Sequence, residues 1–355
     1  MKKNYYFFTK GMLKRSNGTL EFCPTDKIDQ CNDENLQEEI LIGNEKPKTN
    51  ISKGISLPIN EVGSLFVLAD VNFNKRLLEF LSYNQILMHI FNWYGNYHGS
   101  FVPSKIDRNG KILIKQVSHH NHKNKRLFVA CSIAEASASN ILKNLLYYKK
   151  KDNSISIIVE NIISAMKEIY ITDSIKTLLS IEAHIRKEYY SAFNTIINSD
   201  IKFTKREYHP PKNPMNALIS FTYSLLYSVV VSEIYKTELN PAISFLHEPG
   251  KRNFPLALDL SDIFKPLLCD RIIFKTSNKK MINIEDFQYK GEACYLTGNG
   301  KKMITKEFDE KLNATIFHRK IKRKISYRRL IRLECYNLIK HIKGEQKYKA
   351  FKIWW

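Results

Sequence analysis

Two periodicities divide the chain. Up to about residue 102 the apolar positions fall in short, β-prone clusters bounded by turn formers: Tyr5-Tyr6-Phe7-Phe8, Thr19-Leu20-Glu21-Phe22 and Ser64-Leu65-Phe66-Val67-Leu68, with Ser16-Asn17-Gly18 as a turn. These clusters predict strands. Residues 74–85 predict one helix among them, and 90–102 an aromatic-rich strand pair. An acidic, polar excursion between 25 and 50, including a long loop over 31–50, interrupts the pattern. Past a polar, basic stretch the apolar positions recur every three to four residues, over 127–148, 155–170, 175–197 and 214–235, which predicts helices. The expectation is an α+β protein: an N-terminal β domain over 1–103, a linker over 104–126, and a larger all-α domain over 127–355.

Residues 213–232 carry no charge and have the length of a membrane span. Asn213, Pro214, Asn216 and four serines dilute the run, so a helix buried on most sides of a globular domain is the better reading. Asn213 as N-cap with Pro214 at the first helical position marks its start. The opening Met-Lys-Lys-Asn-Tyr-Tyr-Phe-Phe has too brief an apolar run for a secretory signal and reads as a first strand.

Composition narrows the class of partner. The 355 residues include 56 Lys+Arg against 35 Asp+Glu, a formal net charge of +21. That balance points to a polyanion. Residues 301–355 alone hold 17 basic and 5 acidic side chains, whereas 1–60 hold nine and eight. Six scattered cysteines form no CxxC pair, which argues against a disulfide framework or zinc ribbon and for reduced thiols in a cytoplasm. Charge alone does not choose between nucleic acid and an anionic membrane surface; the expectation is nucleic acid, with no membrane partner.

Three places could carry chemistry. Glu182 falls on the apolar stripe of its helix with Leu178, Leu179, Ile185 and Tyr189, while His184 points to the surface. A carboxylate there needs a cation: a buried Arg or Lys, or a bound ion. His247 ends an apolar segment before a Pro/Gly loop, and Pro255 opens a helix whose Asp259 and Asp262 stand one turn apart. Paired acids of this kind suit either a divalent ion or the positive end of the helix. One imidazole with carboxylates and no thiol favours Mg²⁺ or Mn²⁺ over zinc or copper, and a hard ion in a basic protein suggests phosphodiester chemistry. His119, His120 and His122 sit in the polar linker and read as a solvated loop. The run 316–329 has seven basic residues and no acid, with Arg319, Lys320, Lys322, Arg323, Lys324, Arg328 and Arg329 as candidate phosphate contacts.

The ordered set of motifs resembles the CRISPR-associated integrases, the Cas-one family. Gly11-Met-Leu-Lys-Arg-Ser-Asn17-Gly-Thr-Leu20 resembles its glycine–leucine turn and following strand, and Gly95-Asn-Tyr-His-Gly99-Ser-Phe-Val-Pro103 the end of its β domain. Leu179-Ser-Ile-Glu182-Ala-His-Ile-Arg-Lys-Glu-Tyr189-Tyr190 resembles the helix with its metal-binding glutamate. Pro210-Pro211-Lys-Asn213-Pro214-Met-Asn216-Ala-Leu is similar to its Pro-Pro…Asn-Ala-Leu signature, and the stretch from His247 to Asp262 to its histidine and paired acids. The family usually has Gly where this chain has Ala183 and Asp where it has Asn213. The resemblance implies a catalytic helical domain in which Glu182, His247 and Asp262 ligate Mg²⁺ or Mn²⁺, with Asp259 in support. It also implies a homodimer formed through the β domain, assembly with the small Cas-two protein, and insertion of captured double-stranded DNA into a repeat by transesterification, alongside metal-dependent endonuclease activity. Arg206, Tyr208 and Asn216 are further candidate DNA contacts. A stand-alone nuclease for branched DNA, or a basic nucleic-acid-binding module whose acids are structural, are the alternatives.

Overall fold

A computed structural model describes residues 2–24, 54–104, 109–150, 152–207, 210–250 and 253–354, and the backbone of 40–42. The predicted long loop over 31–50 therefore lies, apart from 40–42, outside the described residues, as does Tyr208. The chain divides into two compact units, Met1–Ile106 with Gly298–Glu310, and Asp107–Thr297 with Lys311–Trp355.

Among the described residues the first unit is built on two sheets. Strands β1 (Lys3–Phe7), β2 (Gly11–Ser16), β3 (Thr19–Pro24), β4 (Ile40–Ile42), β5 (Ile55–Leu57), β6 (Val62–Val67) and β7 (Val71–Phe73) precede helix α1 (Lys75–Tyr83), and β8 (Leu87–Phe91) and β9 (Tyr97–Phe101) follow it. One sheet has the order β4-β1-β6-β8-β9 and the other β5-β3-β2-β7. In the larger sheet β1, β6 and β8 run parallel with Tyr5, Leu65 and Met88 in register. Because side chains alternate, these three share one face and join Phe7, Leu13, Phe22 and Leu81 in an apolar core. Their neighbours Tyr6, Phe66 and His89 are buried on the opposite face. Helix α10 (Gly298–Asn313) meets that face: the Tyr6 hydroxyl donates to Asp309 at 3.0 Å, and Lys301 donates to the Trp93 carbonyl at 2.5 Å.

The second unit is mainly helical: α2 (Gly110–Asn121), α3 (Lys123–Lys149), α4 (Ile155–Ile169), α5 (Ile175–Ser191), α6 (Phe193–Ile196), α7 (Pro214–Tyr235), α8 (Pro255–Phe264), α9 (Arg271–Asn278) and α11 (Tyr327–Lys343). Two hairpins complete it, β10 (Phe287–Lys290) with β11 (Ala293–Leu296), and β12 (Thr315–His318) with β13 (Arg323–Ser326). The mixed architecture, strands first and helices after, is the α+β class expected. Helix α7 starts as its sequence dictates, with the Asn213 side chain accepting from Asn216 N at 2.9 Å and Pro214 next in line. It is long and apolar enough to cross a membrane, yet 78% of its most apolar window is buried inside the fold, which explains its charge-free sequence.

Three regions depart from the sequence pattern. Where a linker was expected over 104–126, residues 110–121 form α2, and α3 begins at Lys123. Residues 298–310, expected within the helical domain, pack with the N-terminal unit. The basic run 316–329 is a β-hairpin leading into α11, its pairing set by Phe317 opposite Lys324 and His318 opposite Arg323.

Candidate functional site

Helix α5 carries Glu182, and Arg186 follows one turn later on the same flank. Helix α8 carries Asp259 and Asp262, both at most 2% exposed. It runs on into a wide π-helical turn, Lys265–Asp270, at which Pro266 has no amide to contribute. Carbonyls at that turn are met from α3: Asn140 Nδ2 donates to Ile263 O at 2.9 Å and Asn144 Nδ2 to Pro266 O at 2.7 Å.

His247 lies on the segment between α7 and α8, which is held from two sides. Gln116 of α2 donates to the carbonyls of Asn240 and Ile243 at 2.9 and 2.8 Å and accepts from Asn240 N at 2.9 Å. His120 meets Ser244 O at 2.7 Å, and Arg126 of α3 donates to Phe245 O at 2.9 Å and to Glu248 at 2.8 Å. From the other side, Asp259 Oδ2 accepts from Phe245 N and Leu246 N at 2.7 and 3.0 Å, and Oδ1 from His247 N at 3.0 Å. The same Oδ1 lies 2.8 Å from His247 Nδ1, a contact that places a proton on Nδ1 and, in the neutral ring, leaves the lone pair on Nε2. The stretch expected to be a solvated linker thus braces the His247 segment through Gln116, His120 and Arg126, whereas His119 bonds Lys115 O of its own helix at 2.9 Å and His122 caps α3.

His247 Nε2 lies 4.0 Å from Asp262 Oδ2. Asp262 Oδ1 is met by Lys265 Nζ at 2.6 Å and by Arg186 Nη2 at 2.8 Å, the latter a close charge contact without hydrogen-bond alignment. Arg186 Nε is bonded to Glu182 Oε1. Glu182, His247, Asp259 and Asp262 are therefore brought into one cluster, knitted by two cations that sequence reasoning did not single out. Residues 182, 186, 262 and 265 give the only available signal, acid and base at helical spacing. Burial pushes the Asp262 carboxyl up, but the charges of Arg186 and Lys265, then His247, overcome this and hold it well below the ordinary carboxylate range. Burial pulls the His247 imidazole down, but its bond to Asp259 and that carboxylate's charge outweigh it, leaving the group above its usual value. Lys265 also lies 4.8 Å over the Tyr223 ring, whose hydroxyl donates to Asp270 at 2.9 Å. Burial raises Asp270 to about 6 despite the Tyr223 bond.

The remaining candidates separate. Arg206 donates to Asn216 Oδ1 at 2.8 Å and Ser220 Oγ at 3.1 Å, and Asn216, fully buried, donates in turn to Lys205 O at 2.7 Å. These two side chains tie residues 205–207 to the start of α7. Arg328 is buried against Glu233, 3.6 Å away, so it faces the interior. By contrast Arg319, Lys320, Lys322, Arg323, Lys324 and Arg329 are exposed. Arg319 and Lys320 line a groove of about 1180 Å³ together with Phe128, Tyr336 and Trp354. Among the described residues no three His, Cys, Asp or Glu side chains stand in ready-made coordination around one point.

A strand-rich unit, and a helical unit that carries a basic hairpin and brings two carboxylates together with an oriented imidazole, define a mixed α+β protein with hard-donor chemistry. The sequence model described as "CRISPR associated protein Cas1" matches residues 6–310, and the chain belongs to that family. It is 40% identical over 353 residues to CRISPR-associated endonuclease Cas1 3 of Thermodesulfovibrio yellowstonii, covering 99% of this chain and 100% of that one. To the Cas1 endonuclease of Fusobacterium nucleatum it is 38% identical over 355 residues, covering 100% and 98%. Among solved structures, a Cas1 protein from Thermotoga maritima superposes with a TM-score of 0.82 at 31% identity, over 98% of this chain and all of the other. A casposase bound to its integration product shares the fold, with a TM-score of 0.80 at 16% identity, over 98% and 92%.

Proposed function

We propose that the chain is a divalent-metal-dependent DNA endonuclease and strand-transfer enzyme of CRISPR adaptation, which joins captured double-stranded DNA to a repeat. The observation that carries the reading is the convergence of Glu182, His247 and Asp262 from α5, the 240–254 loop and α8. Whole-length relatives named Cas1 endonucleases support it.

The donor set fits Mg²⁺ or Mn²⁺. Two carboxylates and an imidazole are hard or borderline donors, and among the described residues no thiol stands with them. Two ligands of one ion with bonds of about 2.1 Å lie between about 3.0 and about 4.2 Å apart, according to the angle between them. The 4.0 Å from His247 Nε2 to Asp262 Oδ2 falls within that span. Glu182, His247 and Asp262 would hold the ion, which when bound supplies Lewis-acid charge against a phosphate and makes the attacking hydroxyl more acidic. Asp259 keeps the imidazole proton on Nδ1, so Nε2 is available as a donor. Arg186 and Lys265 keep Asp262 ionised. The exposed basic side chains of the β12–β13 hairpin neutralise phosphates, and the partly exposed Phe128 and Tyr336 offer aromatic surface to unpaired bases. Binding of this kind strengthens steeply as salt falls and reads little sequence. The reading includes a homodimer and assembly with Cas-two in the cytoplasm, as family membership suggests.

The test is strand transfer of a short duplex into a repeat-bearing plasmid, with Cas-two present, in Mg²⁺, Mn²⁺ or EDTA. Glu182→Ala and His247→Ala should abolish joining and retain DNA binding. Full joining in EDTA, or by either variant, rejects the metal site and leaves a basic binding module.

A further inference from the structure

We infer that Arg186 is a positioning residue: its guanidinium holds the carboxylates of Glu182 and Asp262 side by side by one oxygen each, leaving the second oxygen of each for a divalent cation. The inference rests on the proposed reading of the site and deepens it, by naming what sets the spacing of two of its three ligands.

Glu182 and Asp262 come from different helices, and their side chains are only 16% and 4% exposed. Two like charges brought together in such a place repel, and packing alone supplies nothing to hold them in register. Arg186 does. Its Nε bonds Glu182 Oε1 and its Nη2 lies 2.8 Å from Asp262 Oδ1. Nε and Nη2 are neighbouring nitrogens of one rigid, planar group, so Glu182, hydrogen-bonded at Nε, and Asp262, in close charge contact at Nη2, are kept at a set separation. An ammonium, being a point charge on a flexible stem, imposes no such register.

The choice of oxygens is the second observation. Lys265 also meets Asp262 through Oδ1, at 2.6 Å. The close contacts of both side-chain cations on Asp262 thus fall at Oδ1, and the other oxygen, Oδ2, stands 4.0 Å from His247 Nε2. Glu182 Oε2 makes no hydrogen bond among the described residues. His247 repeats the division, with Nδ1 engaged by Asp259 and Nε2 left over. Each proposed ligand thus has one atom fixed by a supporting group and one atom spare.

A buried positive charge beside a cation site also has an opposing effect, since it repels the ion. The sign of the change on removing it decides between the roles. If Arg186 positions the ligands, its loss weakens metal binding; if it is merely a counter-charge, its loss tightens it.

Isothermal titration with Mn²⁺ of full-length wild type, Arg186→Gln, Arg186→Lys and Glu182→Gln, with electron paramagnetic resonance of the bound ion, makes the measurement. Both Arg186 variants should bind Mn²⁺ at least about tenfold more weakly, the usual scale for removing a supporting partner. Their resonance should broaden as the ligands lose register. The lysine variant keeps the buried charge, so it carries the test alone if the glutamine variant does not fold. A folded variant that binds as tightly as wild type, or more tightly, overturns the inference. A lysine variant that stays unfolded even with Mn²⁺ assigns Arg186 to the scaffold and overturns it too. Failure of the underlying site looks different: wild type would show no stoichiometric Mn²⁺, or Glu182→Gln would bind as wild type does.

Discussion

Asp259→Asn is the substitution whose effect the geometry specifies most fully. The carboxylate accepts four hydrogen bonds, from three consecutive backbone amides and from His247 Nδ1, and is fully buried. Asparagine has the same shape but only one acceptor oxygen. Its amide group must face either the Phe245 and Leu246 amides or the two His247 donors, and either way two donors are left unmet. At about 1.5–3 kcal/mol for each hydrogen bond to a charged group, the loss is about 3–6 kcal/mol. At about 1.4 kcal/mol per factor of ten, the lower end raises local opening of the loop by roughly 150-fold. Hydrogen–deuterium exchange of peptides spanning 243–248 should show that acceleration while peptides from the first unit exchange as before. With Nδ1 no longer held, Mn²⁺ affinity should fall by about 10–100-fold. Exchange accelerated less than about fivefold, with Mn²⁺ binding unchanged, would refute the idea that Asp259 sets the His247 loop.

Glu233 is wholly buried with Lys236 at 3.0 Å, Arg332 at 2.6 Å and Arg328 at 3.6 Å, so Glu233→Ala should cost about 3–5 kcal/mol in urea unfolding. Its carboxyl is held at about 2, against burial, by those three cations, so this stability is complete above 4.5 and disappears as pH falls through 2. Glu334 titrates in the opposite sense: burial raises it from 4.5 to about 7, so its contribution is full below 4.5 and lost as pH rises through 7, by about 3 kcal/mol. Glu334→Gln, which can still accept from Tyr348, should therefore flatten the decline in stability between pH 5 and pH 8; an unaltered slope counts against that assignment. Neutralising Lys322, Arg323 and Lys324 together should lower the salt dependence of DNA binding by up to about 0.9 for each phosphate left without its cation, read by fluorescence anisotropy across a salt series.

Much of this was legible from spacing. The 3.6-residue period marked α3, α4, α5 and α7, because each buries one stripe or, for α7, nearly its whole girth. Glu182 stood out because a carboxylate on an apolar stripe needs a partner, and that partner is Arg186, a buried cation four residues on. The identity of such partners was not legible, since Arg at this spacing is also an ordinary surface pattern. Helix α2 was missed for a related reason. Gln116 and His120 look like linker residues, yet their polarity is spent on the carbonyls of a loop more than a hundred residues away. Asn216 misled in the other direction: an amide beside a Pro-Pro signature suggested a ligand contact, but its oxygen and nitrogen are both used to fasten the chain to itself. Arg328 belongs to a basic run but turns inward because it falls on the buried side of the first turn of α11.

The helix that completes the first unit has a consequence for biosynthesis. Asp309 and Lys301 reach residues near the start of the chain, Tyr6 and Trp93, from about two hundred to three hundred positions downstream. The leading strands therefore emerge from the ribosome with one flank of their sheet uncovered, and must wait until most of the polypeptide has been synthesised before their capping segment arrives. A product cut after codon 106 is therefore expected to fall short of a self-sufficient module. A shortened product that retains the strands alone would carry a sticky, unshielded flank, and clumping of nascent chains stalled before residue 298 is the expected outcome.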